Sequence, residues 1–274
     1  MKLSTATSVF VNYPIKAAVD HIIRAGYDGV DLWCGRPHLY RRDHTRAQLT
    51  ELRLRMAAGG LTPVSVMPAF FRYPYSLSSP NPRIRTDSIR YVEDCITVAR
   101  QVGARQVLIV PTASLYGQTT EDARDRFRDS VNRLCAVARE YDLTLAIELL
   151  YARLSDYMHT SQQALETLHA LGQPCLKMVL DTGHLNLSGE SIEAALATLG
   201  RSVVQVHVND NDGQQQQNNI PGTGTVDFAG LKAKLDAVGY DGFLTVELGW
   251  HYSFDPAPPV KDALRRMRGF LGQT

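Results

Sequence analysis

The chain has 274 residues, 44% of them hydrophobic and 21% charged, a globular balance that does not favour disorder. Its 29 basic and 28 acidic residues leave a formal net charge of +1, so no global field steers it toward nucleic acid or an anionic membrane. The length exceeds the commonest domain size but suits one (β/α)8 barrel.

Short apolar or β-branched runs recur from one end to the other, at residues 2–7, 29–33, 62–67, 106–110, 143–148, 176–181, 203–208 and 243–248. Such runs read as strands buried on both faces of a parallel sheet. Between them, apolar residues fall at three- and four-residue steps. Leu49, Leu52 and Met56 form one set, and Ile89, Val92, Ile96 and Ala99 the next. Phe127, Val131, Leu134 and Ala138 follow, then Phe228, Leu231, Leu235 and Val238. Each set gives a helix one face to bury. Gly26, Gly103, Gly172 and Gly239 stand where such helices end before a strand. Strand and helix alternate without an interdomain linker, which predicts a single TIM-barrel domain over residues 1–274. A doubly wound open sheet is disfavoured, because no glycine-rich dinucleotide fingerprint follows the first strand. The biased stretch Gln214 to Gln217 reads as a solvated loop.

Residues 1–7 lack the apolar core of a signal peptide, and no apolar run is long enough to span a bilayer. Cys34, Cys95, Cys135 and Cys175 form no C-x-x-C pair. Reduced thiols and a cytoplasmic location are therefore expected. Exposed barrel helices make a homo-oligomer, a dimer or tetramer, a reasonable expectation.

A TIM barrel builds its active site at the C-terminal ends of its strands. Each of the last four predicted strands ends in or beside a potential ligand: Glu148, Asp181, His207 and Glu247. A lone strand-end carboxylate is more often a cap or an ion-pair partner, and a lone buried histidine is usually a hydrogen-bonded core residue. Four such groups on consecutive strands would converge on one point, where three carboxylates repel unless a cation neutralises them. One divalent metal is expected there. Three oxygen ligands and one imidazole favour Mn2+, with Mg2+ or Co2+ as alternatives, over thiolate-loving zinc.

Around these residues the chain resembles the xylose isomerase-like TIM-barrel superfamily of sugar (phosphate) isomerases and epimerases. The likeness spans essentially the whole length. It rests on Asp181-Thr182-Gly183-His184, on Val206-His207-Val208-Asn209-Asp210, on Ile220-Pro221-Gly222-Thr223-Gly224, and on Gly239-Tyr240-Asp241-Gly242 leading into Glu247. Within it the chain is most similar to fructoselysine 3-epimerase-like and ketose 3-epimerase-like members. Trp33-Cys34-Gly35-Arg36-Pro37-His38, Tyr73-Pro74-Tyr75 and the stretch after Glu247 carry that narrower likeness. The resemblance implies that Glu148, Asp181, His207 and Glu247 bind the metal and that His184 contacts substrate. It also implies that the two glutamates double as the acid/base pair. Two departures stand out. The ketose 3-epimerases usually carry a second glutamate where this chain has Leu154, and an arginine where it has Gly213. A different or modified sugar is implied.

Candidate substrate contacts are Arg36, His38, Arg153, Asp210 and His251, with Trp33, Tyr75, Trp250 and Tyr252 as an apolar wall for sugar C–H faces. For any one of the loop charges a solvated role is the commoner one. The expected reaction is epimerisation or isomerisation of a keto-sugar or sugar conjugate, through an enediolate formed by the two glutamates. The alternative on the same scaffold is a lyase, by dehydration of a keto-cyclitol or β-elimination of a 3-keto-glycoside. An apurinic endonuclease-like activity is less favoured, because the third strand ends in Val66-Met67-Pro68, without the further histidine that site needs. A non-catalytic binding barrel is disfavoured by the four ligands.

Overall fold

Eight parallel strands close on themselves in chain order. They are β1 (Lys2–Ala6), β2 (Gly29–Trp33), β3 (Thr62–Met67), β4 (Gln106–Ile109), β5 (Thr144–Glu148), β6 (Leu176–Asp181), β7 (Val203–Val208) and β8 (Phe243–Val246). The computed structural model describes residues 1–70 and 74–273. Among these, nine α-helices surround the barrel: α1 (Ile15–Ala25), α2 (Arg46–Ala58), α3 (Pro82–Val102), α4 (Thr120–Glu140), α5 (Ser161–Leu171), α6 (Thr182–Ser188), α7 (Ile192–Leu199), α8 (Leu231–Ala237) and α9 (Ala257–Phe270). The chain is thus a (β/α)8 TIM barrel. Among the described residues no helix is long and apolar enough to cross a membrane, and the four cysteines are unpaired.

The predicted strands match the observed ones to within two residues. Glu247 lies just beyond β8, but its backbone N–H still donates to the Val208 carbonyl at 3.2 Å. That bond holds it level with the end of β7. Side-chain alternation with a period of two does the rest. Leu32, Ile147, Leu180, Val206 and Leu244 point outward and join the large core shared with the helices. Ala6, Met67, Leu108, Ala146 and Val179 point inward and form a small apolar layer inside the barrel. Two residues further along β5 and β6 the same inward face carries Glu148 and Asp181. In the strand register Asp181 pairs with His207, and His207 with Thr245.

The barrel interior is not wholly apolar. The amide nitrogen of Gln205 donates to Asp31 Oδ2 and to Thr245 Oγ1, each at 2.6 Å. Its carbonyl oxygen accepts from Gln106 at 2.7 Å, and Thr245 shares a further hydrogen bond with Ser4. All five side chains are buried. Buried polar atoms are tolerated where they satisfy one another. Gln205 is the joint of the chain, contacting three of the other four. Gln205→Ala would leave several of these groups unpaired and should destabilise the barrel by about 1–3 kcal/mol. Urea unfolding would measure the loss, with Gln162→Ala on the exposed face of α5 as a near-neutral control.

Candidate active site

The period-two alternation delivers four ionisable side chains to one place. Glu148, Asp181, His207 and Glu247 each offer a ligand atom, and these atoms all lie within 4.8 Å of one another. His207 and Asp181 are buried, Glu148 is 5% exposed, and Glu247 is half-buried. His207 Nδ1 faces Glu148 Oε1 at 2.8 Å and Glu247 Oε2 at 3.1 Å. Its other nitrogen, Nε2, faces Asp31 Oδ2 at 3.2 Å.

The electrostatics follow from burial and crowding. Burial pushes the Glu148 carboxyl above its ordinary range; Glu247 and Asp181 add to the rise and His207 opposes it. Burial acts the same way on Glu247, but the hydrogen bond and charge of His207, with the charge of His184, hold it below the usual value. Burial alone would lower the His207 imidazole. The charge of Glu148 and hydrogen bonds to Asp31, Glu148 and Glu247 outweigh that and raise it well above its ordinary value. One imidazolium offsets at most one of three buried carboxylates, so the donor set fits a divalent cation. The group can hold one metal ion.

Asp181 is placed by two elements at once. It ends β6 and caps α6, its Oδ1 accepting from the His184 backbone N–H at 2.8 Å. Its Oδ2 accepts from Asn209 Nδ2 at 2.6 Å. Asn209 sits against Gly183, where an added Cβ would come within 2.1 Å of Asn209 Oδ1. Only glycine allows that close approach, which explains the Asp181-Thr182-Gly183-His184 motif physically. The His184 ring stacks on Tyr151 at 5.4 Å. Its Nδ1 is buried without a hydrogen-bond partner.

Glu148 and Glu247 line a cavity of about 810 Å3 at the barrel mouth, together with Trp33, Arg36, Tyr75, Trp250 and His251. Asp181 and His207 are not among its described lining residues and lie behind the two glutamates. Gln216, Gln217 and Asn218 also border it, so the expected solvated loop forms part of the rim. Leu154, at the position where a glutamate was noted as absent, lies in the same lining. Arg153 borders a separate groove with Tyr151 and Gln214 to Gln216, and Tyr252 lies in another shallow depression. Tyr73 falls outside the described residues.

Two expected substrate contacts are corrected. His38 is fully buried. Its Nε2 lies 3.0 Å from the Phe10 carbonyl and 3.1 Å from that of Tyr13, and its Nδ1 is 3.3 Å from Thr7 Oγ1. Burial lowers its affinity for a proton, and the ring ties the loop after β2 to the barrel. Asp210 is also fully buried. Its carboxylate accepts from the backbone N–H groups of Asn211, Gly222, Gly224 and Val226 at 2.8–3.0 Å. It therefore folds the loop after β7 and has nothing left for a sugar. Gly224 is required there, because a Cβ would approach the Asn211 carbonyl to 2.2 Å.

Asp31 was absent from the expected site. The available signal was a carboxylate in the middle of an otherwise apolar strand, where an unpartnered charge is costly. Its place opposite His207 sets the imidazole: with a hydrogen on Nε2 directed at Asp31, Nδ1 would be free to give its lone pair to a cation bound among the carboxylates. This is the arrangement in which a carboxylate orients a metal-binding histidine.

Comparison with known proteins agrees with the geometry. Over 271 residues the chain is 25% identical to fructoselysine 3-epimerase of Shigella flexneri, covering 99% of this chain and 98% of that one. Its fold is shared with 3-keto-D-glucoside 4-epimerase from E. coli, with a TM-score of 0.83 at 19% identity over 98% of this chain and 99% of that one. It is shared equally with the IOLI protein solved with a bound zinc atom, with a TM-score of 0.84 at 19% identity over 99% and 98% of the two chains. The sequence pattern described as "Xylose isomerase-like TIM barrel" matches residues 19–270, and the chain belongs to that family.

Proposed function

We propose that the protein is a divalent-metal-dependent epimerase of a keto-sugar or keto-sugar conjugate. The observation that carries this reading is the division of the four-residue cluster. Both glutamates face the cavity, while Asp181 and His207 stand behind them. Glu148, Asp181, His207 and Glu247 would hold the cation, with Mn2+ favoured by the three-oxygen, one-nitrogen donor set. Bound there, a divalent ion supplies Lewis-acid stabilisation of the oxyanion that develops when a proton leaves the carbon beside a carbonyl.

The chain's own residues supply the proton transfers. Glu148 ends β5 and Glu247 follows β8, so the two carboxylates approach the cavity from different sides of the barrel mouth. One takes the proton from the carbon next to the carbonyl, and the C–H electron pair becomes the enediolate double bond. The other carboxyl, carrying a proton, delivers it to the opposite face and inverts the centre. Asp31 keeps the His207 ring in place. His184, buried and not among the described lining residues but close enough for its charge to act on Glu247, is the proposed polar contact to substrate hydroxyls. The relatives named above support the sugar class, being epimerases of fructoselysine and of 3-keto-D-glucoside.

Glu148→Gln and Glu247→Gln keep the side-chain shape but cannot accept a proton. Each should lower turnover by at least about 100-fold, the lower end of what general acid–base catalysis contributes. Incubating the metal-loaded protein with ketoses and 3-keto-glycosides in D2O would test the scheme through deuterium incorporation at the inverted carbon. Either glutamine variant retaining full turnover and full deuterium uptake sinks the two-base scheme. Product mass separates the reactions, since epimerisation conserves it and β-elimination releases an aglycone.

Chelation should lower the melting temperature, and metal add-back should restore it. At a free metal concentration a hundredfold above the dissociation constant, linkage contributes about 2.7 kcal/mol. Thermal scans with Mn2+, Mg2+, Co2+ and Zn2+ would rank the ions. No shift with any of them removes the metal from the reading.

A further inference from the structure

The cavity is far larger than the metal cluster at its base and changes chemistry along its length. Its floor carries Glu148 and Glu247, whereas its walls carry the rings of Trp33, Tyr40, Tyr75, Tyr91 and Trp250, with Gln216, Gln217 and Asn218 at the rim. At about 810 Å3 it lies in the upper part of the roughly 300–1,000 Å3 range of pockets that enclose drug-sized ligands, well beyond what a free hexose fills.

The tyrosine hydroxyls of this wall are largely engaged within it. The Tyr91 hydroxyl donates to the Cys34 carbonyl at 3.0 Å and accepts from the Ala69 N–H at 2.8 Å. Those of Tyr40 and Tyr75 meet each other at 3.3 Å. Tyr75 stacks on Tyr91 with ring centroids 4.1 Å apart, which fixes its orientation. Trp33 and Trp250 meet edge to face at 6.0 Å. What remains for a ligand is mostly ring surface, with one hydroxyl hydrogen of the Tyr40–Tyr75 pair. Trp250 is 59% exposed at the rim, a large apolar group left to water. The arginine of the described wall is partly engaged. Among the described lining residues Arg36 is the only arginine or lysine. Its guanidinium is bound to both oxygens of Asp43, at 2.6 and 2.8 Å, and lies 4.2 Å over the Tyr40 ring.

Resting on the reading of Glu148 and Glu247 as the reaction centre, we propose that the substrate is a keto-sugar conjugate with an aromatic substituent, the keto form of an aryl glycoside. The sugar occupies the carboxylate floor and the substituent lies against the Trp33, Tyr75 and Trp250 rings. Stacking on such rings is favoured in offset or edge-to-face geometry, and a wall already held in place loses little entropy on binding.

The test measures dissociation constants on the metal-loaded full chain, by calorimetry, for matched methyl and phenyl glycosides of glucose, galactose and mannose and for their 3-keto forms. With at least one sugar, the phenyl member should bind at least about tenfold more tightly than the methyl member. Trp250→Ala, at an exposed position that the fold does not need, should cut that ratio below about threefold, whereas Tyr75→Phe should keep it. Equal binding of every phenyl and methyl pair overturns the proposal, as does a preference that survives Trp250→Ala. The two readings fail separately. Deuterium exchange on free ketoses with no phenyl preference removes the aromatic substituent alone. A phenyl preference that persists in a protein showing no deuterium exchange removes the reaction and leaves the aryl-binding limb standing.

Discussion

Three carboxylates, two buried and one half-buried, crowd one imidazole at the mouth of the barrel, and much of the local architecture answers to that crowding. Like charges a few ångströms apart in a poorly hydrated site cannot all ionise without an opposing charge. His207 supplies part of it and is itself held from behind by Asp31. Asp31 is in turn held by Gln205, which reaches Thr245 and Gln106 deeper in the barrel. The polar interior is therefore an extension of the site into the scaffold. It turns a set of charges that would otherwise repel into a preorganised donor set.

The same economy shapes the loops. Asp181 is at once the end of a strand, the cap of α6 and a member of the cluster. Asn209 secures it from the neighbouring strand end, and Gly183 makes room for Asn209. Asp210, the next residue, faces away from the cluster and gathers four backbone N–H groups of the following loop. Adjacent acidic and amide side chains thus divide the work. One secures the site and the other secures the loop whose Gln216, Gln217 and Asn218 rim the cavity.

Under the proposed reading, the cluster sets where an oxyanion and a transferable proton would be stabilised, and the cavity above it sets what could be attached to the reacting carbon. Among the described residues that lining is rich in aromatic faces, with the Tyr91 hydroxyl hydrogen-bonded within the wall, those of Tyr40 and Tyr75 meeting each other, and Arg36 paired with Asp43. Leu154, rather than a polar side chain, completes the lining. The amides of Gln216, Gln217 and Asn218 at the rim add hydrogen-bonding groups to this ring surface.

The barrel and its four-residue cluster were legible in the sequence because they depend on periodicities that act locally. Alternating apolar runs and helical stripes determined the strand order, and a period of two placed Glu148, Asp181, His207 and Glu247 on the inward face at one end. What a side chain does beyond its own strand was not legible. His38 and Asp210 carry the residue types of a binding site and sit beside its motifs, yet both are consumed by backbone groups that only the folded loops bring near. Asp31 looked like one charge in an apolar strand until barrel closure set it against His207, 176 residues away in the chain. Sequence determined which groups point inward. The closed barrel decided which of them meet, because contacts between strands far apart in the chain depend on register and loop packing, and no local pattern encodes those.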